Sequence, residues 1–248
     1  MSEPLLQLKD LSRHFGGVAA VEDVDVEFEK GTITGLIGPN GAGKTTLLQL
    51  ISGVQMPNGG KIIFKGEDIT RKKAHERARL GIGRAFQVVQ PLTGMNVAEN
   101  VTTAALFGRN GATRSVREAR KFGLDILNRV GLFAKRKNYM SALTLADSKR
   151  LELARALATE PELVLLDEVM AGLNQSEVAM QMDLLRSINA AGLTMIVVEH
   201  VMKAIMAISD AILVLHHGRK IEFAPPNEVA KNPEVIKAYL GARYAEPV

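Results

Sequence analysis

A glycine-rich segment near residue 40 limits the possible folds more than any other part of the sequence. It reads Gly38-Pro39-Asn40-Gly41-Ala42-Gly43-Lys44-Thr45 and matches the pattern G-x-x-x-x-G-K-[ST] in full. The apolar run 33–37 before it predicts a buried strand, and residues 46–52 after it predict a helix. Glycines let backbone N–H groups turn inward on phosphate oxygens, and the helix N-terminus adds its positive end. The segment therefore predicts a phosphate site, with a plain glycine turn as the alternative.

We call residues 38–45 the P-loop. Its pattern assigns a role to two side chains, since Lys44 should reach the β- and γ-phosphates of a nucleotide and Thr45 should bind Mg²⁺. The candidate phosphate-binding residues are Gly38, Pro39, Asn40, Gly41, Ala42, Gly43, Lys44, Thr45 and Thr46.

The pair Asp167-Glu168 is a second candidate for the same chemistry. It follows the apolar run 163–166, which predicts a buried strand with Asp167 at the carboxyl edge of a parallel sheet. Ligands bind at that edge in open α/β folds. We expect Asp167 to position Mg²⁺ through water, and Glu168 to activate the attacking water as general base. Taken alone, such a pair is often only a strand end.

Apolar strands and helices alternate along the sequence. Strand patterns occur at 5–11, 18–28, 61–64, 194–198, 211–215 and 220–223, and helix patterns at about 96–159, 175–190 and 233–240. Continuous apolar strands separated by helices favour a parallel sheet covered on both faces. With 46% hydrophobic residues, the chain can bury a sizeable core. We expect one α/β domain over residues 1–248, with a helical subdomain inserted at approximately 88–160.

Missing residue types and patterns exclude several classes of protein. There is no cysteine, which excludes a disulfide scaffold and a thiolate zinc site. The first residues lack the basic start and apolar run of a signal peptide. No apolar run approaches the roughly 18 residues that would predict a membrane helix. We therefore expect a soluble, cytoplasmic protein.

The net charge of +4 hides an uneven distribution. Residues 61–150 carry 19 Lys and Arg against 7 Asp and Glu, whereas the rest of the chain carries 12 against 20. Such a basic block is typical of a solvated helical surface, of a face near anionic lipid head groups, or of a nucleic-acid-binding surface. The third interpretation is the weakest, because the basic residues are not interleaved with aromatic residues that stack on bases.

With these motifs in this order, the sequence resembles the nucleotide-binding subunits of ATP-binding cassette (ABC) transporters from about residue 5 to 239. The resemblance implies a P-loop NTPase of the ABC type, with a mainly parallel central sheet, an antiparallel β subdomain and the inserted helical subdomain. It implies that Gln87 contacts Mg²⁺ or the attacking water, that His200 contacts the γ-phosphate, and that Phe15 stacks on adenine. Without the resemblance, Gln87 would be interpreted as a polar loop residue, His200 as a capped or core histidine, and Phe15 as a core phenylalanine.

The signature motif of the family, L-S-G-G-Q, is altered in this chain. Residues 143–150 read Leu-Thr-Leu-Ala-Asp-Ser-Lys-Arg. Thr144 keeps a hydroxyl for the γ-phosphate of an opposite subunit. Ala146 can still offer its backbone N–H to phosphate if its φ is negative. Asp147 places a carboxylate near the usual position of Gln, which would weaken ATP binding across the subunit interface.

Three further segments resemble the branched-chain amino-acid importer branch of the family: residues 13–21, 170–174 and 232–241. The resemblance implies ATP and Mg²⁺ as cofactors and import of leucine, isoleucine, valine or related amides and acids. It also implies a second ABC ATPase subunit paired head to tail, as a homodimer or heterodimer. The other implied partners are two membrane permeases and, acting through them, a periplasmic solute-binding protein. The chain would lie on the cytoplasmic face of the membrane.

Two other functions stay open at this point. One is a soluble ABC-type ATPase that acts on nucleic acid or ribosomes. Such proteins usually carry two cassettes or a long coiled-coil insertion, whereas this sequence has one P-loop and neither of these features. We therefore expect no nucleic-acid partner. The other is a partly degenerate regulatory subunit, which the altered signature motif suggests.

Overall fold

A computed structural model of the chain describes residues 4–85, 92 and 94–240. These residues form two compact units. The first unit consists of residues from the segments 4–73 and 194–240, and the second consists of residues between 74 and 193.

Strands predominate in the first segment, helices in the second unit, and the last segment contains both. The first segment contains β1 (Leu6–Phe15), β2 (Val18–Phe28), β3 (Ile33–Ile37), α1 (Lys44–Ser52), β4 (Gly59–Phe64) and β5 (Glu67–Asp68). The second unit contains α2 (Ala74–Leu80), β6 (Ile82–Ala85), α3 (Val97–Phe107), α4 (Val116–Arg129), α5 (Leu145–Ala158), β7 (Leu163–Asp167) and α6 (Gln175–Ala190). The last segment contains β8 (Thr194–Val198), α7 (Met202–Ile208), β9 (Ala211–His216), β10 (Arg219–Ala224), α8 (Pro226–Val229) and α9 (Pro233–Leu240).

The first unit contains two groups of strands. Strands β2, β1, β4 and β5 form an antiparallel sheet in that order. In the other group, β3 lies between β8 and β9 and runs parallel to both, while β10 is antiparallel to β9. Every residue of β3 and β8 is buried, as expected for parallel strands that are covered on both faces.

The second unit combines a parallel strand pair with helices. Strands β6 and β7 pair in register from Ile82 with Leu163 to Ala85 with Leu166. Helices α3, α4 and α5 pack on one another. Helix α4 begins with a capping box, in which Ser115 and Glu118 each bond the backbone N–H of the other.

Several predicted elements are confirmed with the same bounds, namely α6, β8 and α9. Helices α2 and α7 and strand β6 were not predicted, because they are only 7, 7 and 4 residues long and their hydrophobic periodicity is weak. Within the described part of the chain, the helices are too short or too polar to cross a membrane.

Candidate functional site

The P-loop connects β3 to α1, and two of its glycines, Gly38 and Gly43, are required by close backbone packing. A Cβ atom on Gly38 would lie 2.2 Å from the carbonyl oxygen of Leu215, and one on Gly43 would lie 2.2 Å from that of Ala20. Gly43 also has a φ of 101°, a left-handed conformation that side chains rarely adopt. The backbone of the loop is therefore packed on both sides in a way that only glycine permits.

Lys44 opens α1 and is buried. Its Nζ donates to two carbonyl oxygens of its own loop, at 2.7 Å to Gly38 and 3.0 Å to Pro39. The first turn of α1 lies within the described residues and contains no acidic side chain. The loop therefore combines a fixed ammonium group with the positive end of a helix, which suits a phosphate.

His200 follows a strand that neighbours the P-loop strand. Because β3 and β8 are parallel, with Leu36 opposite Val198, both chains leave the sheet at the same edge. Gly38 follows β3 there, and the buried Glu199 and exposed His200 follow β8. Within the first unit, the fold thus places His200 at the same sheet edge as the P-loop.

Phe15 ends β1 and is 44% exposed, so it is not a core residue. It pairs with Val18 across the β1–β2 hairpin, and Ala20 of the same hairpin packs against Gly43 of the P-loop. The guanidinium of Arg13 lies 4.6 Å from the centre of the Phe15 ring. One face of the ring thus carries a cation, and stacking of Phe15 on adenine stays a prediction.

Asp167, at the end of β7, is buried, with 1% of its surface exposed. Its Oδ2 accepts a hydrogen bond from Arg84 Nη2 at 3.3 Å. In the described part of the chain, its Oδ1 is buried without a hydrogen-bond partner. Burial raises the pKa of the Asp167 carboxyl, although the charge of Arg84 opposes the shift. A carboxylate held by one oxygen, with the other unpaired, fits an ion or its bound water.

Glu168 has a left-handed backbone conformation, with a φ of 53°. Its carbonyl oxygen accepts a hydrogen bond from the buried Lys149 Nζ at 2.8 Å. Lys149 belongs to α5, the helix that begins in the altered signature motif. Helix α5 therefore fixes the backbone of the residue predicted to be the general base.

The altered signature motif forms the N-terminus of α5. Thr144 is the N-cap and forms a capping box with Asp147, whose carboxylate also pairs with Lys135. Burial alone would raise the pKa of Asp147, but hydrogen bonds from Lys135 and Thr144 outweigh it and hold the pKa below its usual value. Ala146 lies in the first turn and is not among the described residues with positive φ. The negative charge of the Asp147 carboxylate is thus balanced by Lys135 of the same chain.

Replacing Thr144 by Ala should lower the free energy of unfolding by about 1 kcal/mol, because the N–H of Asp147 loses its cap. Thr144→Ser keeps the hydroxyl and should stay close to wild type. Urea unfolding followed by circular dichroism measures both variants. Equal stability of the Ala and Ser variants would contradict the capping role.

Sequence reasoning missed three cations that hold acidic or backbone groups: Arg84, Lys135 and Lys149. The only signal was their position, since Arg84 and Lys149 lie in elements that are otherwise largely apolar or buried.

Gln87, the predicted ligand of Mg²⁺ or the attacking water, lies outside the described residues. The P-loop and His200 belong to the first unit, and Thr144, Asp167 and Glu168 belong to the second.

Comparisons with known families and proteins cover almost the whole chain. Residues 21–171 match the family model described as ABC transporter, and residues 219–245 match the one described as branched-chain amino acid ATP-binding cassette transporter. The chain is 38% identical to the high-affinity branched-chain amino acid transport ATP-binding protein LivG of Escherichia coli (strain K12), over 97% of this chain and 99% of LivG. It is 36% identical to the high-affinity branched-chain amino acid transport ATP-binding protein BraF of Pseudomonas aeruginosa, with the same coverage.

Solved structures agree with the predicted fold class. The ADP conformation of MJ1267, an ATP-binding cassette of an ABC transporter, has a TM-score of 0.88 and 27% identity, covering 97% of this chain and 100% of that one. A nucleotide-free ATP-binding cassette from an ABC transporter has a TM-score of 0.87 and 26% identity, with coverage of 96% and 99%. The chain therefore belongs to the ABC transporter family, among the ATP-binding, ATP-hydrolysing subunits of the branched-chain amino acid branch.

Proposed function

We propose that this subunit drives the import of branched-chain amino acids or related small amides and acids, by hydrolysing ATP bound at the P-loop. The observation that carries the proposal is the geometry of the P-loop in the first unit. There, the Lys44 ammonium is held on two loop carbonyls beside the positive end of α1. The LivG and BraF relatives support the solute class.

In this proposal, residues 38–46 bind the phosphates, Lys44 contacts the β- and γ-phosphates, and the ring of Phe15 stacks on adenine. Thr45, Gln87 and Asp167 would hold Mg²⁺, which supplies positive charge to the phosphate oxygens when it is bound. The unpaired Oδ1 of Asp167 and the exposed position of Thr45 fit that role.

In the hydrolytic step, Glu168 acts as the general base. The Glu168 carboxylate accepts the proton of the attacking water, while His200, which follows β8, contacts the γ-phosphate. The hydrogen bond from Lys149 to the Glu168 carbonyl limits how far the base can move. Positioning and charge, rather than covalent chemistry by the protein, supply most of the rate enhancement in phosphoryl transfer.

The assembled transporter would contain two ATPase subunits, paired head to tail. Thr144 and Ala146 of one subunit would then contact the ATP bound at the P-loop of the other. Two membrane permeases would contact the helical subdomain at approximately 88–160, and a periplasmic binding protein would deliver the solute to them. The subunit would be peripheral, on the cytoplasmic face of the membrane.

Solute uptake in the host organism tests the proposal. Deleting the gene should abolish high-affinity uptake of radiolabelled leucine, isoleucine and valine, and the wild-type chain should restore it. Lys44→Ala should fail to restore it, and uptake of an unrelated solute such as a sugar serves as the control. Unchanged uptake of all three amino acids, together with loss of another solute, would contradict the assigned solute class.

A further inference from the structure

The carboxylate of Asp147 is held inside the first turn of α5. Its Oδ2 accepts hydrogen bonds from the backbone N–H of Thr144 at 3.1 Å and from the Thr144 hydroxyl at 2.9 Å. The hydroxyl oxygen in turn accepts from the N–H of Asp147 at 3.2 Å. Asp147 is buried, with 6% of its surface exposed. These contacts keep the negative charge at the start of the helix.

Two backbone N–H groups lie beside this carboxylate and are free to bind a ligand. Leu145 and Ala146 are the first two residues of α5, and N–H groups at these positions have no acceptor within a helix. In the proposed head-to-tail pair, the phosphate of the opposite subunit's ATP approaches this end of α5. An uncompensated charge on Asp147 would repel that phosphate.

Lys135 supplies the compensating cation. Its Nζ forms an ion pair with Asp147 Oδ2 across 12 residues of sequence. The two groups differ in burial, since 42% of the Lys135 side chain and 8% of the Asp147 side chain are exposed. Ion pairs that are open to solvent contribute little to the free energy of unfolding. The main effect of Lys135 is therefore on the charge at the start of α5, rather than on the stability of the fold.

The backbone that carries Lys135 is fixed on two sides. Its N–H donates to the carbonyl oxygen of Leu132 at 2.9 Å, and its own carbonyl oxygen accepts from the N–H of Asn138 at 2.9 Å. The carbonyl oxygen of Asn138 also accepts from the N–H of Val97, the first residue of α3, at 2.9 Å. The ammonium group therefore reaches Asp147 from a backbone whose position is set by its neighbours.

We propose that Lys135 is a positioning residue for the ATP bound between two subunits. Its ammonium group balances the charge of Asp147, so that the N–H groups of Leu145 and Ala146 face the phosphate without a net negative charge beside them. Lys135 thereby keeps the altered signature motif able to bind ATP across the subunit interface. The inference rests on the proposed head-to-tail pair and adds to it a cation from outside the motif.

The Lys135→Met variant of the assembled transporter tests this inference, because it keeps the aliphatic stem and removes the charge. The KM for ATP, measured by phosphate release, should rise about tenfold, the size expected for one uncompensated charge near a bound anion. The kcat at saturating ATP should stay near the wild-type value. Lys135→Arg keeps the charge and should give the wild-type KM. Lys137→Met, at an exposed lysine two residues away, is the matched control and should leave the KM unchanged.

A double variant shows whether Lys135 acts through Asp147. Asp147→Asn removes the charge but keeps an oxygen for the hydrogen bonds from Thr144, so its KM should be close to the wild-type value. In Lys135→Met combined with Asp147→Asn, the KM should return to the value of Asp147→Asn alone. A purely structural role of Lys135 would not be reversed by the second substitution.

Three results would overturn the inference: an unchanged KM in Lys135→Met, a raised KM that persists when Asp147 is also replaced, or a large loss of thermal stability in Lys135→Met. Titration of the single subunit with fluorescent mant-ADP reports on the P-loop alone, and its Kd should be equal in Lys135→Met and wild type. Failure of the wild-type chain to bind mant-ADP would instead overturn the proposed nucleotide site.

Discussion

Replacing Glu168 by Gln should abolish ATP hydrolysis while ATP binding is retained. The amide has the same shape as the carboxylate, and the hydrogen bond from Lys149 goes to the backbone of residue 168, so the local structure should persist. What is lost is the acceptor for the proton of the attacking water. Since general base catalysis contributes about a hundredfold or more, turnover should fall at least that far.

Phosphate release in the assembled transporter measures turnover, and mant-ATP titration measures binding. Asp183→Asn, at an exposed carboxylate of α6, is the matched control and should hydrolyse ATP like wild type. Hydrolysis at the wild-type rate in Glu168→Gln would assign the base to another residue. Loss of mant-ATP binding in this variant would show that residue 168 has a structural role.

Lys44→Ala should lose most of the affinity for nucleotide. The ammonium is held beside the start of α1 by the carbonyls of Gly38 and Pro39, where it can bond phosphate oxygens directly. Hydrogen bonds to charged groups contribute about 1.5–3 kcal/mol each, so loss of one should raise the Kd roughly tenfold or more.

Isothermal titration with ADP measures this affinity, and thermal unfolding shows whether the loop still packs. Lys44→Met keeps the aliphatic stem of the buried side chain and removes only the charge. We expect it to bind ADP as weakly as Lys44→Ala but to be more stable. Wild-type affinity in Lys44→Met would mean that the cation does not contact the nucleotide.

Local patterns were sufficient for much of the fold. The P-loop pattern placed a turn between β3 and α1, and the apolar run before Asp167 predicted β7. Each of these signals lies within about ten neighbouring residues, so no knowledge of the tertiary structure was needed. Helix α6 was also predicted from a local signal, a hydrophobic periodicity that extends over its 16 residues.

The contacts that position the site could not be predicted in this way. Arg84 pairs with Asp167 across 83 residues, because β6 happens to lie beside β7. Lys135 and Asp147 are nearer in sequence, yet their pairing depends on how the chain turns before α5. Sequence periodicity contains no information on such partners.

The left-handed backbone at residue 168 has a consequence for evolution. A side chain in this conformation costs about 1–3 kcal/mol, and Gly or Asn would occupy it more easily than Glu. Selection for heat resistance alone should therefore favour replacing this residue, whereas selection for turnover should oppose it. At position 168, selection for stability of the fold and selection for ATP turnover therefore favour different residues.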